Sequence, residues 1–146
     1  MLVRDLMHTE VVTLEASDHL DLADNIMRLG RIRHMPVVVH GRLVGILSQR
    51  DLFRAAISTV LQLRPTAERE WLAKIPVSEV MSSHVVSISP DATVRQAVQI
   101  MLDKKIGCLP VTEGEKLLGL ISESDCTRYL ARLLDDLDSQ PAPSRK

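Results

Sequence analysis

An α+β fold of two tandem β-α-β-β-α repeats, packed with pseudo-twofold symmetry, is what this sequence predicts, and three observations predict it. Gly45-Ile46-Leu47-Ser48-Gln49-Arg50-Asp51 returns as Gly119-Leu120-Ile121-Ser122-Glu123-Ser124-Asp125, 74 residues downstream. The same offset carries Val3 onto Val77, Met7 onto Met81, Ala23 onto Ala97, Ile32 onto Ile106, Pro36-Val37 onto Pro110-Val111 and Arg54 onto Arg128, with no gap. Repetition at a fixed period is read before any other fold signal, because each copy is one supersecondary unit. Third, the hydrophobic pattern alternates between strand and helix in the same order in both halves. A half of about 60 residues buries too little surface to stand comfortably alone. The halves are therefore expected to pack together, sheet against sheet with the helices outside.

The elements follow in order. Val3, Leu6 and Met7 mark one short helical turn, and Val11-Val12-Thr13-Leu14 is a brief β-rich run. Leu20, Ala23, Ile26 and Met27 recur at helical spacing and predict a helix over about 18–29. Ser17 and Asp18 would supply oxygen acceptors at its start, with Gly30 as its stop. Residues 35–39 and 43–47 are apolar, β-branched runs joined through His40-Gly41-Arg42, a strand pair with a tight turn at Gly41. A helix over about 50–63 follows, striped by Leu52, Ala55, Ala56, Thr59, Val60 and Leu63, and Pro65-Thr66 breaks it. Residues 68–74 read as a connecting helix.

The second unit repeats this order: a turn at 77–81, a strand at 85–88, a helix from Thr93 to about 104, strands near 108–112 and 117–121, and a helix over about 123–137. Thr93 and Gln96 form a capping box in which hydroxyl and amide side chains each satisfy a backbone N–H. Repeat 1 thus occupies 1–64, a connecting segment 65–76, repeat 2 77–138, and a patternless, disordered tail 139–146.

Composition narrows the function. Apolar residues make up 45% of the chain but aromatics only 2%, so branched aliphatics and methionine must fill the core. A net charge of −1 argues against capture of nucleic acid by bulk charge. No run approaches about 18 apolar residues, so no bilayer span is expected. The N-terminus lacks the order of a signal peptide. With Cys108 and Cys126 as the sole cysteines, a reducing, cytoplasmic setting is expected. No phosphate loop, His-Glu-x-x-His or Gly-x-Ser-x-Gly motif occurs, so no enzyme and no metal or other required cofactor is expected.

Val3-Arg4-Asp5-Leu6-Met7, Ile32-Arg33-His34-Met35-Pro36-Val37-Val38 and Gly45 to Asp51, with their counterparts in the second half, resemble the tandem CBS-domain pair, or Bateman module. The resemblance covers all but the tail. It implies a regulatory module that binds an adenosine-containing ligand (AMP, ADP, ATP or S-adenosyl-methionine) in clefts between the repeats. A chain that is all module would act in trans on a regulated protein by changing conformation, and members of the family commonly pair as homodimers. The apolar stripes for pairing would come from the helices near Leu52 to Leu63 and Leu130 to Leu137, which serve equally well as intrachain core.

The residue chemistry fits that implication. An ionised carboxylate accepts from both hydroxyls of a ribose, and Asp51 and Asp125 sit in the first turn of a helix, where the charged form is favoured. Ser48 and Ser122, three residues earlier, aim a hydroxyl at the same sugar or phosphate, while Ser-x-x-Asp is also an ordinary helix cap. By likeness to the regulatory γ subunit of AMP-activated kinase, Arg33 and His34 would meet phosphates, their order being reversed here. Arg50 would reach the same group, and a solvated Arg31, Arg33 and Arg42 face is the alternative. Thr13 and Ser87, at matching strand ends, would line the adenine or ribose pocket, or serve β-propensity alone. The nucleotide site implied by the resemblance also takes in Ile32, Pro36, Cys108 and Pro110. Gly107, Cys108 and Ser124 replace Arg33, His34 and Arg50 in the second half, so the two clefts are expected to differ, the more basic one preferring phosphorylated nucleotide. The competing expectation is an interaction scaffold with vestigial clefts.

Overall fold

Each repeat supplies a β-hairpin backed by helices, in a computed structural model that describes residues 1–60 and 67–140. The order is α1 (Val3–Leu6), β1 (Leu14–Glu15), α2 (Leu20–Gly30), β2 (His34–Val39), β3 (Arg42–Ser48), α3 (Gln49–Val60) and α4 (Ala67–Leu72). A 3-10 turn (Val77–Glu79), α5 (Val94–Lys104), β4 (Cys108–Glu113), β5 (Lys116–Ser122) and α6 (Glu123–Asp138) complete it. The first hairpin turns through His40 and Gly41, both at positive φ (49° and 76°), the backbone of a two-residue turn matched to strand twist. The capping box is present: Gln96 N–H donates to Thr93 Oγ1 at 3.1 Å and Thr93 N–H to Gln96 Oε1 at 2.9 Å.

Several expectations are corrected. Helix α2 begins at Leu20, with no side-chain cap on His19. Asp18 instead closes the preceding turn, its carboxylate accepting from Glu15 N–H at 2.8 Å. Gly30 lies inside α2, and Arg31 beyond it takes the left-handed conformation; Lys105 does the same after α5. A Cβ on Gly30 would come within 2.9 Å of Ile32 Cδ1, so this glycine provides room rather than a stop. The first strand shrinks to Leu14–Glu15, paired in parallel with Val37 and Val38, and its counterpart to one bridge between Ile88 and Val111. The α4 helix ends at Leu72, followed by a turn closed by Lys74 N–H on Trp71 O at 3.0 Å. The expected reach of α3 to residue 63, the break at Pro65-Thr66 and the tail over 141–146 lie outside the described residues.

The sheets do not stack. They join edge to edge into one five-stranded sheet, β1-β2-β3-β5-β4, through the antiparallel pair Arg42–Lys116. Arg42 and Lys116 are themselves 74 residues apart, so the pseudo-dyad passes between them. Around it the contacts are reciprocal. Ile46 bridges Ser82 as Leu120 bridges His8, and His19 bridges Pro76 as Thr93 bridges Leu2.

Two apolar cores result, and each is completed by the other repeat's opening turn. Val3 is fully buried with Ala97, Leu109, Val111 and Ile121, while Val77 is fully buried with Leu14, Leu20, Met35 and Leu47. Each junction is fixed by the backbone, Val3 N–H donating to Ala92 O at 2.8 Å and Val77 N–H to Asp18 O at 2.7 Å. The repeated glycines of the Gly-x-x-Ser motif make room for this exchange. A Cβ on Gly119 would run into the His8 carbonyl oxygen, and one on Gly45 into Met81 Sδ and within 3.0 Å of Ser82 O.

Candidate functional site

The exchange brings a segment of repeat 2 across β3. Ile46 and Ser82 trade backbone hydrogen bonds (Ile46 N–H to Ser82 O, 3.0 Å; Ser82 N–H to Ile46 O, 2.9 Å), so residues 82–86 form a wall facing the start of α3. On the near side, β2 and β3 pair His34 with Ser48, and Gln49 N–H donates to Arg33 O at 2.8 Å. Arg33, His34, Ser48, Arg50 and Asp51 therefore gather at one end of the first hairpin.

Between the walls lies an open cavity of about 830 Å³, inside the range of about 300–1,000 Å³ usual for small-molecule clefts. Its apolar side is formed by Ile46, Val85, Val86, Met101, Leu102 and Ile106, a slot of aliphatic side chains suited to a flat ring. Val85 and Val86 turn into this slot, which explains why the expected strand is hardly laddered. The polar side carries Arg33, Arg50, Arg54 and Lys105 against the carboxylates of Asp51 and Glu123. Among the described residues none of these four cations is in an ion pair, so the cleft favours an anion.

Asp51 and Ser48 cap α3 reciprocally: Ser48 N–H donates to Asp51 Oδ2 at 2.9 Å, and Asp51 N–H to Ser48 Oγ at 3.1 Å. The ordinary capping role is thus present. It uses one carboxylate oxygen and leaves Oδ1 without a partner among the described residues. Burial lowers the pKa of His34, an effect that outweighs the opposing pull of Asp51, so near neutrality the ring is uncharged and offers one donor and one acceptor.

The symmetry-related position is built from the same pair and behaves differently. Asp125 is only 3% exposed. Its Oδ2 accepts from Ser122 N–H and Ser122 Oγ, both at 2.8 Å. Its Oδ1 is taken by His8 Nε2 and by Arg128 Nη1 at 3.3 Å. Every lone-pair direction of this carboxylate is thus used inside the chain. At the first site the residue matching His8 is Ser82, too short to reach Asp51, and the match of Arg128 is Arg54, which faces the cavity.

The other expected residues fall as follows. Cys108 and Pro110 line the cavity. Ile32 packs against the first core and Pro36 is fully buried, both away from the cavity. Thr13 and Ser87 are exposed and outside it. Ser82, His84, Arg54, Lys105 and Glu123 are cavity residues that the sequence reading missed. Arg54 and Lys105 had a signal, since both lie at matched positions of the repeat. Cys108 is a buried free thiol whose pKa is pushed up to about 12 by burial and by Asp125, so it stays protonated. Burial and Asp125 also raise Cys126. Among the described residues no cluster of metal-ligating side chains converges, and no helix is long and apolar enough to cross a membrane.

Comparison with known proteins identifies the family. The CBS domain profile matches residues 3–58 and again 77–132. The CBS domain-containing protein YhcV of Bacillus subtilis is 32% identical over 123 residues, which cover 84% of this chain and 81% of that one. The structure of AcuB from Vibrio cholerae superposes with a TM-score of 0.78 at 34% identity, covering 97% of this chain and 98% of that one. The CBS domain pair of protein MJ0100, solved in complex with 5′-methylthioadenosine and S-adenosyl-L-methionine, has the same fold at 23% identity and TM-score 0.78, covering 91% of this chain and 98% of that one. With both copies of the motif matched over the repeats that the sequence offset defines, the chain belongs to the CBS domain family, as a tandem pair.

Proposed function

We propose that this chain is a non-catalytic regulatory module that binds one adenosine-containing nucleotide bearing phosphate, in the cleft at Asp51. The observation that carries this reading is the pairing, in one cavity, of an aliphatic slot with a carboxylate oxygen and four cations that, among the described residues, have no hydrogen-bond or ion-pair partner respectively. The base would occupy the slot formed by Val85, Val86 and Ile106, and the ribose hydroxyls would donate to Asp51. Arg33, Arg50, Arg54 and Lys105 would meet the phosphates, with Arg supplying a planar fork for their oxygens. The cleft is walled by both repeats, so a bound ligand favours one relative placement of the halves, which is how a partner protein would read occupancy.

Pairing of two copies is part of the same proposal. Leu130, Leu133, Leu134 and Leu137 are all at least 40% exposed along α6, and Phe53 and Ile57 are exposed on the symmetry-related α3. A second copy of the chain would cover these matched helices. An interaction scaffold is the other reading that this apolar face favours. Thermal unfolding with AMP, ATP and S-adenosyl-methionine separates the two. A ligand at 100 times its Kd adds about 2.7 kcal/mol, and AMP or ATP is expected to raise Tm by the corresponding several degrees. No shift with any adenosyl compound would leave the scaffold reading in place.

A further inference from the structure

We infer that His8, beside Arg128 on the same carboxylate oxygen, is an internal lock on a second, latent site at Asp125, and that releasing His8 changes the number of ligands the chain can hold. The inference rests on the proposed reading of the Asp51 cleft. It starts from the contact of His8 Nε2 with Asp125 Oδ1, on the carboxylate oxygen whose counterpart at Asp51 has no partner among the described residues. His8 and Asp125 are 117 positions apart in the chain, and the contact exists because the opening turn of repeat 1 crosses β5.

The backbone there is fixed and the ring is not. His8 N–H donates to Leu120 O at 2.8 Å, and Leu120 N–H to His8 O at 3.0 Å, which pins the main chain. The His8 side chain is nevertheless 56% exposed, so the ring can rotate into solvent without disturbing those bonds. The matched position supplies a control within the same molecule. Ser82 makes the same two backbone bonds to Ile46, carries a side chain too short to reach Asp51, and borders an open cavity. A short residue at this position thus goes with an open cleft and the histidine with a capped carboxylate.

The chemistry behind the lock also differs. Gly107, Cys108 and Ser124 stand where Arg33, His34 and Arg50 stand at the first site, and Glu10 matches His84. These exchanges remove two guanidinium groups and add a carboxylate. The latent site therefore suits the sugar and base of a nucleoside better than a phosphate chain. A ring that covers Asp125 in about 99% of molecules would weaken apparent affinity there about 100-fold, since only the uncovered fraction can bind.

The test is isothermal titration of the full chain with adenosine and with AMP. The wild type is expected to bind one equivalent of AMP, His8→Ser to bind a second equivalent of adenosine, and His8→Ser combined with Asp125→Asn to return to one. One equivalent in both the wild type and a folded His8→Ser would overturn the lock while leaving the Asp51 reading intact. Two equal equivalents in the wild type would also overturn it. A His8→Ser chain that binds one equivalent where the wild type binds none would support the lock and sink the Asp51 reading; no binding by either would sink both. Should His8→Ser fail to unfold cooperatively, His8→Ala is read in the same way.

Discussion

The two Ser-x-x-Asp sites differ by a few side chains on nearly the same backbone, and the difference separates what the motif does for folding from what it can do for a ligand. In both, the serine amide is satisfied by the aspartate carboxylate, at 2.9 Å in the first and 2.8 Å in the second. Capping is therefore common to the two copies. Asp51 lines a basic cavity and its remaining oxygen has no partner among the described residues; at Asp125 that oxygen is consumed by His8 and Arg128. A capped helix start thus leaves one carboxylate oxygen unpartnered among the described residues at Asp51, whereas at Asp125 a side chain reaching over from the other repeat takes it up.

The sharpest way to break this comparison is to remove each carboxylate in turn. Asp51→Ala is expected to weaken AMP binding by about 100-fold, the loss of hydrogen bonds to a charged acceptor. Calorimetry on Asp125→Ala should find AMP binding retained but stability lower by about 1–3 kcal/mol in urea denaturation, because Ser122 N–H and Arg128 lose a buried acceptor. If the two variants bind AMP alike, the asymmetry has no functional content. Next in size is overpacking at the dyad-related glycines. Gly119→Ala meets a backbone carbonyl and should cost about 3 kcal/mol or more; Gly45→Ala, which first meets the flexible end of Met81, should cost less. Equal midpoints for the two would show that the approach is not fixed by the backbone.

Smaller effects refine the picture. Because burial lowers the pKa of His34, the unfolded chain binds its proton first as pH falls. That contribution to stability is present above about pH 6.5, the ordinary histidine value, and is lost as pH drops toward the lowered folded value. His34→Cys, which installs the residue found at the second site, should flatten the fall of Tm between pH 7.5 and 5.5; an unchanged slope would exclude His34 as its source. The smallest expected effect is at the cap of α5, where Thr93→Ala should cost about 1 kcal/mol, measured by urea titration.

Much of this was legible from one number, the offset between the motifs. It set the repeat order, the β-branched runs about Gly41 set the hairpin as a local consequence of pattern, and the family resemblance implied that Arg33 and His34 would join Ser48 and Asp51. The union of the sheets was not legible. Periodicity says which face of a strand is apolar but not whether an edge is taken, and here the edges of β3 and β5 meet at Arg42 and Lys116 and are bridged farther along by Ser82 and His8. Thr13 and Ser87 lie outside the cavity, and β-branched runs such as Val85-Val86, read as strand, are equally good as one wall of it. The cover on Asp125 was invisible because a lone histidine in an opening turn carries no signal toward a carboxylate in the other repeat.

The burial of Val3 in one core and Val77 in the other means that the segment duplicated in sequence is not the segment that folds. Cut at the boundary between the repeats, each half would keep a turn made for its neighbour and lack the one made for itself. The smallest autonomous unit is therefore the whole pair, and heat should melt it in a single step. Any force that parts the repeats must uncork two interiors at once, so strain at the seam is shared by both halves.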